Sequence, residues 1–358
     1  MRRFWKVLGM VGLLLTAGLV LSFLASNVGP SEARRSDRMS PPQPQHSAER
    51  VFPSITVERL RVFGEEVLYD SDMIRLGPDG SVYVFDRGAS QVVRFDPETG
   101  QVLQRYGRGP GKGPGEFAMV SDFEVDPLGR VYVSDLETGR ISLFAADGSL
   151  LATLKPRRLP NNLALLNANL IVVHLINPHN DALFELYRLE QRGSKYRLRF
   201  VRRFGEFLEK QAAFGLVLDG EIIGADSFFV YAPRRIGWIT AFRPDGSLKF
   251  HRNTIDPIPI PRLIQRGSVR MVDRSAPRSM YEIAIDQQYI YLDKGSNKDQ
   301  NEKKYLIDVY DASTGDYQFS LALSEWFGLM NVRDHLIYVS QDTAVIIWRW
   351  KFQNKKQE

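Results

Sequence analysis

The 358-residue sequence contains no cysteine, which excludes disulfides, thiolate nucleophiles and cysteine-based metal sites. Histidine, carboxylate, guanidinium and a run of glycines remain as the groups able to do chemistry. The five histidines are His46, His174, His179, His251 and His335. The glycine run is YGRGPGKGPGEF, Tyr106 to Phe117, with glycine at every second position from Gly107 to Gly115. Such density lets backbone approach a phosphate, or lets the chain turn where no side chain fits. A phosphate loop needs a hydroxyl residue after its lysine to hold Mg²⁺, but Lys112 is followed by Gly113. That reading fails, and a connection between strands is left.

The elements that would position these groups repeat. MIRLGPDGSVYVFDRGASQVVRFDPETGQVLQRYG from Met73 aligns with DFEVDPLGRVYVSDLETGRISLFAADGSLLATL from Asp122. Pro78 falls on Pro127, Gly80 on Gly129, Val82-Tyr83-Val84 on Val131-Tyr132-Val133, Asp86 on Asp135, and Phe95 on Phe144. Each unit holds four short alternating runs rich in β-branched and aromatic residues, separated by Pro/Asp/Gly turns, so each predicts four strands. Weaker copies span 162–205, 221–253 and 280–323, and a last one starts at Gly328 and ends one strand short. ITVERLRVFGEE from Ile55 supplies the missing strand. The expectation is an all-β, six-bladed propeller over 51–358, its last blade closed by the N-terminal strand, leaving no open sheet edge. After Arg50 only Glu206 to Ala213 hints at helical periodicity. FGEE at Phe63 and FGEF at Phe204 close other units, so the glycine run marks a blade-to-blade connection. A dinucleotide fingerprint would instead have to open a helix.

GPGEF followed by FEVDPLGRVYVSDLETGRISLFAADG resembles an NHL repeat, the unit of a group of bacterial six-bladed propellers. In that family a G-x-G-x-F turn joins the outer strand of one blade to the inner strand of the next. The sequence departs from the family pattern at Val120, Asp122 and Glu137 or Thr138, where Pro, Gly and Asn are usual. The resemblance implies that Asp86 and Asp135 are the repeated aspartates, expected to cap the turn between second and third strands. It also implies two metal chemistries to check. Amidating lyases of this type bind zinc through histidines of several blades, and no matching triad occurs here. Lactonase-like propellers hold Ca²⁺ in the channel, and Asp72, Asp122, Glu124 and Asn162 are the corresponding groups near inner strands. No resident metal or cofactor is expected, with Ca²⁺ the alternative.

Lys plus Arg (47) exceeds Asp plus Glu (42) by five, without the concentrated stripe that nucleic acid requires. No nucleic-acid partner is expected. Charge placement says more. One face of the propeller carries the turn aspartates Asp79, Asp96, Asp126, Asp147, Asp245, Asp286, Asp311 and Asp334. The other carries Arg87, Lys112, Arg234 and Arg235, with the long connection Thr254 to Arg278 that adds Arg262 and Arg266. These six are the candidate binding residues, since guanidinium groups suit bidentate recognition of carboxylate or phosphate. At the N-terminus, Arg2, Arg3 and Lys6 precede Val7 to Ala25, 19 residues without a charge. That exceeds the ~7–15 of a secretory core and approaches the ~20 of a spanning helix. Residues 1–25 are expected to be an uncleaved inner-membrane anchor, or a signal peptide if cleaved, and 26–50 a flexible polar linker. The resulting expectation is an extracytoplasmic, tethered, monomeric propeller that binds a protein or anionic ligand through its basic face. A metal-dependent hydrolase or lyase with its site in the channel is the alternative.

Overall fold

The computed structural model describes residues 41–47, 49–175, 182–206, 217–266, 269–273, 275–299, 302–323 and 329–353. The proposed anchor, Val7 to Ala25, lies outside them, as do His179 and residues 207–216, where the helical hint fell. No helix among the described residues is long and apolar enough to cross a membrane.

Six antiparallel four-stranded sheets make up the propeller. From inner to outer strand, blade one is Ser71–Leu76, Val82–Asp86, Gln91–Phe95 and Val102–Tyr106. Blade two is Val120–Val125, Val131–Asp135, Arg140–Phe144 and Leu150–Leu154. Blade three is Pro160–Leu165, Leu170–Leu175, Phe184–Arg192 and Lys195–Phe204. Blade four is Gly220–Ala225, Phe228–Pro233, Trp238–Phe242 and Leu248–Asn253. Blade five is Glu282–Ile285, Tyr289–Asp299, Glu302–Asp311 and Tyr317–Leu323. Blade six takes Leu329–Arg333, Leu336–Gln341 and Ala344–Phe352 from the C-terminus and Ile55–Phe63 from the N-terminal side. The closing pair runs from Ile55 opposite Phe352 to Phe63 opposite Val345. The six inner strands touch in cyclic order around a central channel.

The second strands VYVFD and VYVSD are buried throughout because both their faces meet a neighbouring blade. Blades one and two share Tyr83, Tyr106, Phe117 and Phe144. Between blades three and four, Phe184, Phe204, Phe229 and Phe242 form an aromatic knot with ring centroids 5.2–5.9 Å apart. Burial of each such ring contributes about 1.5–3 kcal/mol. These interfaces hold the channel residues rigid.

Two segments differ from the sequence expectation. The linker expected over 26–50 is laid across the outer strands of blades four and five in its described part. Gln45 donates to the carbonyls of Asn253 (2.6 Å) and Gly315 (3.0 Å) and accepts from the Tyr317 amide at 2.7 Å. Arg50 clasps the buried Asp308 through two 2.9 Å bonds and also binds Asp256. The connection Thr254 to Arg278 carries a hairpin of its own, Leu263–Arg266 against Val269–Val272.

Candidate binding site at the channel mouth

The glycine run joins blades one and two and spends its hydrogen-bonding groups on itself. Arg108 N donates to Gly115 O (2.7 Å), Phe117 N to Gly109 O (3.0 Å), and Gly113 N to the Glu116 carboxylate (2.7 Å). Arg140 closes it from below by donating to the carbonyls of Lys112, Gly113 and Glu116. Gly107 has φ +98°, and a Cβ there would run into the Phe117 ring. Its glycines therefore serve a tight turn.

At the next level, the repeated aspartates reach further than a turn cap. Asp135 accepts from the amides of Thr138 (2.8 Å), Ala118 (2.7 Å) and Met119 (3.1 Å). Burial pulls its pKa up, and these donors more than offset that, holding it below the usual value. Asp86 likewise accepts from Tyr69 (3.2 Å) and Asp70 (3.0 Å). Each carboxylate thus ties the incoming blade connection to the turn of its own blade. The residues so fixed are exposed and large: Tyr69 is 76% exposed and Met119 53%. Met119, Leu159 (48%) and Tyr281 (43%) each stand one residue before the inner strands of blades two, three and five, and Tyr69 two residues before that of blade one. Four inter-blade connections therefore place an apolar side chain on the same face, just ahead of an inner strand.

Inside that rim the channel is polar. Arg75 donates to Asp122 (2.7 Å), Glu124 (2.8 Å) and the Ile74 carbonyl (3.0 Å). Asp122 also accepts from Leu163 N at 2.8 Å, which binds blade two to blade three. Asn162 donates to Glu221 (2.7 Å), and its oxygen faces His174 Nδ1 at 3.2 Å. Arg234 pairs with Glu221, lies 3.5 Å from Asp219 and donates to the Tyr281 carbonyl at 3.0 Å. Burial, with Arg234 adding to it, lowers the His174 pKa to about 3, so this histidine is neutral. Burial also pushes Glu124 and Glu282 up to about 7, against the pull of Arg75.

The six sequence candidates do not form one cluster of open cations. Arg87 pairs with Asp70 (3.1 Å) and Asp72 (3.4 Å), and Lys112 with Glu137. Arg234 turns into the channel, while Arg235 donates to the Ala276 carbonyl at 2.6 Å. Arg235 is joined to the long connection through Ala276, and just beyond its end the Ser279 amide donates to Arg234 O at 2.7 Å. Arg262 is exposed, and the Arg266 side chain lies outside the described part. Of the Ca²⁺ candidates, Asp122 and Glu124 have Arg75 bonded to both, a positive charge where a hard cation would sit. Among the described residues no group of three His, Asp or Glu is arranged to hold a metal.

Arg75, Glu221 and Glu282 are absent from the sequence candidates, although a signal for the first was available. Arg75 and Glu124 are 49 residues apart, the repeat length itself, so the ring of inner strands sets opposite charges side by side.

No protein-family model and no curated protein sequence matches the chain. Solved structures do. A member of the DUF4221 family from Bacteroides vulgatus has TM-score 0.57 at 13% identity, covering 84% of this chain and 99% of that one. A Bacteroides fragilis protein described as exported has TM-score 0.56 at 11% identity, covering 87% and 99%. At such identities the likeness bears on fold, and it agrees with the six-bladed propeller.

Proposed function

We propose that this chain is a binding propeller that takes its ligand at the channel mouth, with Val7 to Ala25 tethering it on the outer side of a membrane. The observation that carries this is the rim: Tyr69, Met119, Leu159 and Tyr281 are exposed around a channel of fixed charged groups. Ligand sites combine apolar walls with a few placed polar groups, and exposed apolar clusters mark interaction surfaces. The opposite face offers a different picture, because its aspartates are consumed by turn amides. Asp79 serves Ser81, Asp126 serves Leu128, Asp245 serves Ser247, and Asp311 serves Ser313. The anionic partner expected of the basic face has less support, since Arg87, Lys112, Arg234 and Arg235 already hold partners.

A thermal-shift screen of small amphipathic compounds against the wild type and a Tyr69→Ser/Leu159→Ser variant tests the reading. Compounds that stabilise the wild type should lose most of their effect on the variant. Equal shifts for both proteins would move the site elsewhere. A second reading, a hydrolase or lyase, is favoured by Glu124 and Glu282. Carboxyls held at about 7 are matched to general acid–base work at neutral pH.

A further inference from the structure

Glu282 differs from every other carboxylate of the channel. It opens the inner strand of blade five, is 8% exposed, and receives no hydrogen bond from any described residue. It lies within the electrostatic reach of Arg75, Arg234 and Asp122 of other blades and of Asp293, opposite it on the second strand of its own blade. Neither guanidinium is hydrogen-bonded to it. Arg75 donates to Asp122, Glu124 and a carbonyl, and Arg234 donates to Glu221 and a carbonyl and lies 3.5 Å from Asp219. The Glu282 oxygens are not among the fully enclosed atoms that lack a partner, so they open on the channel, where a carboxylate without a protein donor can accept from a ligand. Neither guanidinium bonds Glu282, so a donor for this carboxylate can come from outside the chain.

The charge around it fixes the sign of that donor. Asp122, Glu124, Glu221, Glu282 and Asp293 set five carboxyls against the two guanidiniums of Arg75 and Arg234. Of the cations nearby, Lys294 pairs with Asp256 and donates to the Ser279 carbonyl, and Arg278 lies over the Tyr281 ring at 4.9 Å. An anion would meet a surplus of negative charge.

We infer that the channel mouth recognises a small amine whose ammonium group donates to the Glu282 carboxylate while its apolar body rests on the rim. This inference rests on the channel-mouth reading above and adds the class of ligand. The probes are 2-phenylethylamine, 2-phenylethanol and phenylacetate, which share a body and differ in charge. They are titrated into the full chain and followed by ligand-observed NMR. The amine should bind at least tenfold more tightly than either other probe, and Glu282→Gln should abolish that preference while the fold is kept. If the alcohol or phenylacetate binds as tightly as the amine, or if the preference survives Glu282→Gln, the cation inference fails and the mouth stands as a binding site. If none of the three binds, the mouth reading itself falls.

Discussion

Glu282 gives its presence away through pH. Burial raises its carboxyl from 4.5 to about 7, with Arg75 and Arg234 pulling the other way. Between those values the folded state holds a proton that the unfolded state has lost. The contribution of Glu282 to stability is therefore complete below pH 4.5 and is lost as pH rises through about 7. His174 and His251, lowered to about 3 and 4 by burial, oppose this trend over part of the same window. The informative quantity is the difference between proteins. Glu282→Gln should gain stability relative to wild type as pH rises from about 4.5 to 7, read from denaturation midpoints. A flat or falling difference would contradict the buried placement. Arg75 makes a second test at this scale: Arg75→Ala strands Asp122 and Glu124 and should cost about 3–5 kcal/mol. A loss below about 1 kcal/mol, the range of exposed pairs, would show the triad to be solvated.

At the scale of elements, the strands were legible because alternation and turn residues are local signals. PDG, PLG and RPDG mark turns by their own chemistry, and the structure has turns there. The channel was only half legible. Asp122, Glu124 and Asn162 stood out on one unit, but their partners come from other blades, and Glu282 sits in a weak copy whose phase is blurred. The N-terminal segment escaped because SPPQPQHS has linker composition, and composition does not register a single long side chain such as Arg50 reaching Asp308. Arg50→Ala should leave Asp308, fully buried, without its cation, and cost about 3–5 kcal/mol. An unchanged unfolding midpoint would show that the segment is bystander surface. Asp135→Ala should likewise free the Ala118 and Met119 amides and speed their hydrogen exchange. Protection unchanged at both amides would refute its role in fixing the rim.

For the whole molecule, closure by the strand Ile55–Phe63 is what converts six sheets into a ring. Its removal exposes the edge of Ala344–Phe352, with Trp348 and Trp350 on it, and such an edge pairs with other chains. Deleting Val51 to Glu65 should give a protein that aggregates, and a monomer with an unchanged Tm would refute closure. The ring also determines where function can sit, because only at its channel do residues of all blades meet. Methionine-methyl NMR tests that claim most directly, since Met119 stands on the rim and Met73 on the inner strand of blade one, while Met330 is buried between blades five and six. On saturation with a compound that stabilises the fold, the Met119 and Met73 signals should move and Met330 should stay. If both remain in place while other methyls shift, the ligand binds elsewhere and the channel-mouth account is wrong.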